Sequence, residues 1–374
     1  MSYLETRISR EEFIKTRGAK NSQNSAKLAL NLFDYFCQDQ FKKTGDGIIL
    51  EIQKAVKIDQ NFDRLFRLCN SFVQWLQEDQ PQVIIHMRGY NSHIKKHTPQ
   101  SIKMRLSYTR QYMEDFGQME FSERRFQKMV RLPKDVHEEL EPFSKDEIRA
   151  FVDASSPKRK ALYMTLKDSG MRIGEAVQLK KRDINMTLNP VTITVHANYA
   201  KTKRGRTTFL TRETKRFLLP ILAKIEDEDL VFGSNKDPMK AATNEGKLFD
   251  YLRKNLGFTQ KYESNNRHKK NLHSLRAYCA TQLSEIYGEE FAHGFIGHAK
   301  YLGQYIRNKD KLAEKYLRAE NNLMIYEQVE VVDQSLTIAE AKAELREEMA
   351  EEFRKDREEL TRLIQDKNEI QKLL

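Results

Sequence analysis

The sequence predicts a mainly α-helical protein with one small antiparallel β-sheet, an α+β chain of two domains plus appendages. Three observations lead there. At 374 residues the chain exceeds one ordinary hydrophobic core. Apolar residues recur at helical spacing through much of its length. One stretch, Val191-Thr-Ile-Thr-Val195, instead alternates and is rich in β-branched residues, with Thr207-Thr-Phe-Leu210 as its expected partner strand.

Residues 1–20 read as a polar N-terminal arm. Residues 21–125 read as the first domain, a compact bundle of about four helices. Leu28, Leu30, Leu32, Phe33, Phe36 and Cys37 form one apolar face, and Ile52, Val56 and Ile58 a second. Phe62, Leu65, Phe66, Leu68, Phe72 and Leu76 form a third, with Trp75 beside it. Thr98-Pro99 signals a helix start, with proline at the first helical position. The run behind it, Ile102 to Phe116, is basic on one face.

Residues 126–143 read as a linker containing Leu132-Pro133 and Glu141-Pro142. The second domain spans 144–330. Ser144-Lys-Asp-Glu147 is a capping box that opens its first helix. The next helix runs from about Lys158 to Ser169, where Gly170 stops it, and Arg172 opens another that ends near Asp183. The turn between the two strands, Ala200-Lys201-Thr-Lys203-Arg-Gly205-Arg206, is strongly basic. Helices follow from Arg212, broken by the short loop Val231-Phe-Gly-Ser234. Residues 336–374 contain neither proline nor glycine. Met349, Phe353, Leu360, Leu363, Ile370 and Leu374 fall on heptad a and d positions there, with Arg346, Asp356 and Lys367 interrupting the seam. This tail reads as a long charged helix, either self-associating as a coiled coil or solitary and solvated.

The chain carries a formal charge of +11. The tail has 8 basic and 11 acidic residues, so the body is more basic still, which points to a polyanion partner. Three windows hold no Asp or Glu: Gln80–Met113, Ile184–Arg212 and Ser264–Ser284. A phosphate backbone selects for such windows, because each carboxylate would repel it. No apolar run approaches the ~20 residues of a membrane span. The N-terminus lacks the form of a secretory signal, which suggests a cytoplasmic, nucleoid-associated protein. Three scattered cysteines suggest neither a disulfide framework nor a zinc site. No glycine-rich phosphate loop appears, so nucleotide hydrolysis is disfavoured. Neither a metal nor another cofactor is expected.

The most informative stretch is Asn271-Leu-His-Ser-Leu-Arg276, followed by Gly297-His298 and then Tyr301 and Tyr305. His273 and Arg276 share a helix face, as do Tyr301 and Tyr305. With Arg172 from Gly170-Met-Arg-Ile-Gly-Glu175, this set can hold a phosphate and attack it. Cleaving a phosphodiester with an oxygen nucleophile needs positive donors for the phosphoryl oxygens and an acid for the leaving oxygen. Arginine forks suit the first task, since they bind phosphate bidentately and keep their charge. Arg172 and Arg276 fit it; His273 and His298 can add hydrogen bonds. Glu175 either orients Arg172 or forms an ordinary surface pair.

These residues, in this order, resemble the tyrosine recombinase (phage integrase) family, including Cre- and Xer-like and archaeal-type integrases. The likeness is good over roughly residues 140–310, and Tyr305-Ile-Arg-Asn308 resembles the Cre nucleophile segment. It implies attack by tyrosine to give a 3′-phosphotyrosyl link and a free 5′ hydroxyl, without metal or ATP. The family's usual spacing from Gly-His would fall on Arg307, so the nucleophile is assigned to Tyr305 with Tyr316 as the alternative. Lys201 or Lys203 in the basic hairpin would be the acid, Lys201 matching the family's turn better. The implied catalytic set is Arg172, Lys201, His273, Arg276, His298 and Tyr305. The implied partner is double-stranded DNA with a specific recombination site, clamped between the two domains of each subunit of a homo-tetramer. Two other readings are a type IB topoisomerase-like relaxing enzyme and a DNA-binding protein of the same fold without catalysis.

Overall fold

The computed structural model describes residues 7–326, apart from 60, 88–89, 137, 139–140, 234–236 and 299–307. They divide into two compact units. One runs to residue 140 and includes Gln260–Lys269; the other holds 141–259 and the residues from 270 onward.

The first unit opens with α1 (Arg10–Lys15), inside the expected polar arm. Ser9 and Glu12 form a reciprocal capping box, and Phe13 is fully buried with its ring 5.1 Å from that of Tyr112. Next come α2 (Lys20–Phe41), α3 (Gly45–Asp59) and α4 (Asp63–Leu76). The apolar stripes of α2 and α4 meet through Phe36, whose ring lies 5.2 Å from Phe72 and 5.8 Å from Trp75. Each such buried aromatic contributes roughly 1.5–3 kcal/mol. Leu28 and Ile58, read from the sequence as apolar-face residues, are exposed.

A hairpin of β1 (Gln80–Met87) and β2 (Tyr90–Ile94) interrupts the helices, with Ile85 opposite Ser92. It was not expected, because Val83-Ile84-Ile85 is too short a run to tell strand from helix. Then α5 (Pro99–Gly117) begins at the expected proline, the Thr98 hydroxyl accepting from the Ser101 amide. The last helix, α6 (Glu123–Met129), straddles the start of the expected linker and buries Phe126, with Val130 buried after it.

Three basic residues of this unit's acid-free window, Lys103, Arg105 and Arg110, are engaged internally. Arg105 is buried and donates to the Ser25 carbonyl. Arg110 pairs with Glu114 and Glu123 and lies over the Phe121 and Phe126 rings. Lys103 pairs with Asp135 at 2.5 Å. A window free of acids in sequence is therefore not free of them in space.

The second unit contains α7 (Lys145–Asp153), α8 (Pro157–Ser169), α9 (Ile173–Ala176), β3 (Ile184–Asn185), β4 (Val191–Val195), β5 (Arg206–Leu210), α10 (Arg212–Leu222), α11 (Pro238–Asn255), α12 (Leu272–Tyr287), α13 (Glu289–Ile296) and α14 (Lys309–Leu323). Both expected strands are present, in an antiparallel sheet of order β3-β4-β5 with Val195 opposite Arg206. The Ser144 capping box is formed as expected.

Helix α8 is central, with every residue from Ala161 to Ser169 buried. Its buried charges are met by partners, as their desolvation requires. Asp168 accepts from Lys167 at 2.5 Å, the Thr211 amide and hydroxyl at 2.9 and 2.6 Å, and the Thr214 hydroxyl at 2.5 Å. This node pins the end of α8 to the start of α10. Among the described residues no helix is long and apolar enough to cross a membrane.

Candidate active site

Glycine sets the first part of the site. Gly170 ends α8 in the left-handed region at φ 58°, and a Cβ there would lie 2.5 Å from Ile296 Cγ2. The chain then turns so that Arg172 caps α9. Its backbone amide donates to Glu175 Oε2 at 3.0 Å and its guanidinium to Oε1 at 3.1 Å. Glu175 is only 1% exposed and also accepts from Arg206 at 2.7 Å. Burial alone would raise its pKa. The hydrogen bond and charge of Arg206, then the amide and charge of Arg172, outweigh burial and hold it below the usual carboxylate value. Glu175 is thus a buried bridge between two arginines rather than a surface pair.

The second part comes from the start of α12. The Asn271 side chain caps this helix by accepting from the His273 amide at 2.9 Å. His273 is exposed there, and one turn on Arg276 is buried at 1% exposure. Arg276 Nη1 donates to the Gly170 carbonyl, whereas its Nε and Nη2 are buried with no hydrogen-bond partner. Burial, then the charges of Arg172 and Arg206, pull its pKa down to about 9. It remains a cation at neutral pH, with two donors unused.

The third part is the glycine turn after α13. Gly297 has φ 85°, and a Cβ there would meet Arg206 Cδ at 3.0 Å. The turn delivers His298 beside the arginines. Burial, then the charges of Arg276, His293, Arg172 and His273, pull the His298 pKa down to about 4. Desolvation, then Arg276 and Arg172, lower that of His273.

The hairpin supplies a lysine. His196 Nε2 lies 2.8 Å from Asp183 Oδ1, and the Tyr199 hydroxyl donates to Oδ2 at 3.3 Å, bracing the turn between β4 and β5. Lys201 follows and is exposed. It lines a cleft of about 330 Å³ together with Arg172, Glu175, Tyr199, Leu272 and His273. Lys203, at φ 54°, is not among the residues lining that cleft.

Of the six expected site residues, five therefore gather: Arg172, Lys201 and His273 line the cleft, and Arg276 and His298 lie within their electrostatic reach. Tyr305, like Tyr301, lies outside the described residues. Tyr316 is fully buried, its ring stacked 5.6 Å from Phe295 and its hydroxyl donating to the Asp168 carbonyl. Burial, with Asp168 nearby, raises its pKa well above the ordinary value. Tyr316 is thus a core tyrosine in this structure.

Two contributors escaped the sequence. Arg206 read as one more DNA contact, yet it is buried against Glu175 and Gly297, its Nε without a partner. No sequence signal set it apart from its basic neighbours; only the strand pairing, which places it opposite Val195, does so. His293 carried no signal beyond its distance from His298. Two guanidinium groups thus share one buried carboxylate with a third, Arg276, nearby, and the surplus charge and unused N–H groups suit an anion with several oxygens. Among the described residues no group of three or more His, Cys, Asp or Glu could hold a metal ion.

Residues 141–305 match the model of the phage integrase family. No curated protein matches the chain significantly. Among solved structures, it is similar to the XerH site-specific recombinase bound to a palindromic difH substrate (17% identity, 82% of this chain and 83% of that one, TM-score 0.49). It is similar to the Tn1549 transposon integrase with transposon right end DNA (15% identity, 78% and 98%, TM-score 0.46). It is also similar to a lambda integrase dimer bound to a COC' core site (12% identity, 80% and 97%, TM-score 0.44).

Proposed function

The chain is a tyrosine recombinase by its phage integrase domain, residues 141–305, and we propose that it cleaves and rejoins specific DNA sites through a 3′-phosphotyrosyl intermediate. The observation that carries the catalytic reading is Arg276: a buried cation beside Arg172 with two N–H groups unpaired. Leaving such donors buried costs about 1–3 kcal/mol each, and a phosphate is the group that would satisfy them.

In this reading Arg172 and Arg276 hold the non-bridging oxygens of the scissile phosphate, with Glu175 and Arg206 fixing the fork of Arg172. His273 and His298 donate hydrogen bonds to the same phosphate. Tyr305 attacks phosphorus as its proton passes to solvent water, the tyrosyl oxygen–phosphorus bond forms, and the bond to the 5′ oxygen breaks. Lys201 gives that oxygen its proton. A phenol with a reference pKa of about 10 ionises more readily beside such cations. The phosphotyrosyl ester keeps the bond energy for the reverse attack by a 5′ hydroxyl, so the step is balanced without ATP.

In this reading the first unit also binds the DNA. Four subunits would act on two duplexes, exchanging strands in pairs through a Holliday junction, on intracellular DNA of the nucleoid. The test is a nicked suicide duplex, chosen by binding selection from a random-sequence pool and mixed with protein without divalent metal. A covalent protein–DNA band from the wild type, absent in Arg276→Ala, is expected. Tight binding of the selected duplex with no band from the wild type would overturn the proposal.

A further inference from the structure

The glycine turn that closes α13 brings two imidazoles together. A helix ended by a left-handed glycine sets the residue after the glycine over the one five before it, a contact usually made by two apolar side chains. Here the Gly297 amide donates to the Gly294 carbonyl at 3.1 Å and the His298 amide to the His293 carbonyl at 2.9 Å. The side chains brought together are those of His298 and His293. Their ring planes are within 23° of each other with centroids 4.7 Å apart, and the rings meet edge to edge with their Nδ1 atoms 2.7 Å apart. Two ring nitrogens so close require one hydrogen between them.

The surroundings decide which ring owns that hydrogen. His298 faces Arg276 and His273 from α12 and Arg172 from the start of α9, and Arg206 of β5 lies against Gly297. These charges disfavour a doubly protonated His298, so it is a neutral ring with one N–H. With Nδ1 engaged by His293, only Nε2 is left to donate to a substrate. For Nε2 to carry the hydrogen, Nδ1 must be the acceptor.

We propose that His293 is a positioning residue: its Nδ1–H donates to His298 Nδ1 and holds His298 as the Nε2–H tautomer that donates to the scissile phosphate. This rests on the recombinase reading above. It gives a role to a histidine that sits one helix turn and a glycine away from His298.

The test compares full-length wild type, His293→Leu and His293→Asn, whose amide N–H can replace the donor. Single-turnover cleavage of the suicide duplex should fall about 10–100-fold in His293→Leu, at unchanged DNA affinity, and stay within about threefold in His293→Asn. Nitrogen-15 NMR of histidine-labelled protein should show His298 as the Nε2–H tautomer in the wild type and in His293→Asn. In His293→Leu it should show a mixture. Cleavage by His293→Leu at the wild-type rate, or a wild-type His298 in the Nδ1–H form, would overturn the proposal. A wild type that forms no covalent adduct would sink the recombinase reading instead, and the tautomer would still decide the histidine pair.

Discussion

Replacing the buried arginine at the centre of the site should make the DNA-free protein more stable, not less. Arg276 is 1% exposed, and two of its donors, Nε and Nη2, meet no acceptor. Two such groups cost about 2–6 kcal/mol together, against about 1.5–3 kcal/mol returned by the charged hydrogen bond to the Gly170 carbonyl. Arg172 and Arg206 add repulsion. Arg276→Met keeps a long side chain in the space and removes the charge, so a net gain of about 2 kcal/mol is expected. In a unit of this size that raises Tm by roughly 4–8 °C. Differential scanning calorimetry of the full chain reads it. Trp75, the single tryptophan, lies in the first unit, so its fluorescence identifies the transition that does not belong to the site. Sulfate should then stabilise the wild type and leave Arg276→Met nearly unmoved, closing the gap. A second-unit Tm lowered by Arg276→Met, with sulfate acting equally on both proteins, would refute the reasoning.

Lys201→Ala should slow single-turnover cleavage by about 100-fold or more, as loss of a general acid does. Lys203→Ala should change it little, and a sulfur in place of the leaving 5′ oxygen should rescue the Lys201 variant. Tyr316→Phe should lower stability by about 1 kcal/mol through its lost bond to Asp168 while adduct formation continues. His298, with a pKa near 4 against an ordinary value of about 6.5, makes stability fall as pH falls. Between those values the unfolded chain binds a proton that the folded chain refuses. Urea titrations from pH 7 to 4 should show that slope in the wild type and a shallower one in His298→Gln.

Much of the second unit was legible because its signals are local. The Ser144 capping box, Gly170 and the β-branched alternation of Val191–Val195 each act within a few residues, and each appears where expected. The candidate site residues could be named by type and order, since a phosphate calls for arginine forks and hydrogen-bond donors. What stayed hidden was pairing at a distance. Arg110 and Lys103 looked available for DNA until Glu123 and Asp135, from outside the acid-free window, came beside them. Arg206 looked like its basic neighbours until the strand register turned it towards Glu175. The hairpin Gln80–Ile94 was missed because its β-branched run is short, and α1 because one buried phenylalanine, Phe13, is too little pattern to read.

The claim on which everything else depends is that Tyr305 becomes linked to DNA. Trypsin should cut after Lys300 and Arg307, placing Tyr301 and Tyr305 in one peptide and Tyr316 in another. Mass spectrometry of the trapped, nuclease-trimmed adduct should find the nucleotide on Tyr305. Fragment ions that place it on Tyr301 or on the peptide containing Tyr316, or a wild-type protein that yields no adduct on a duplex it binds tightly, would contradict the account.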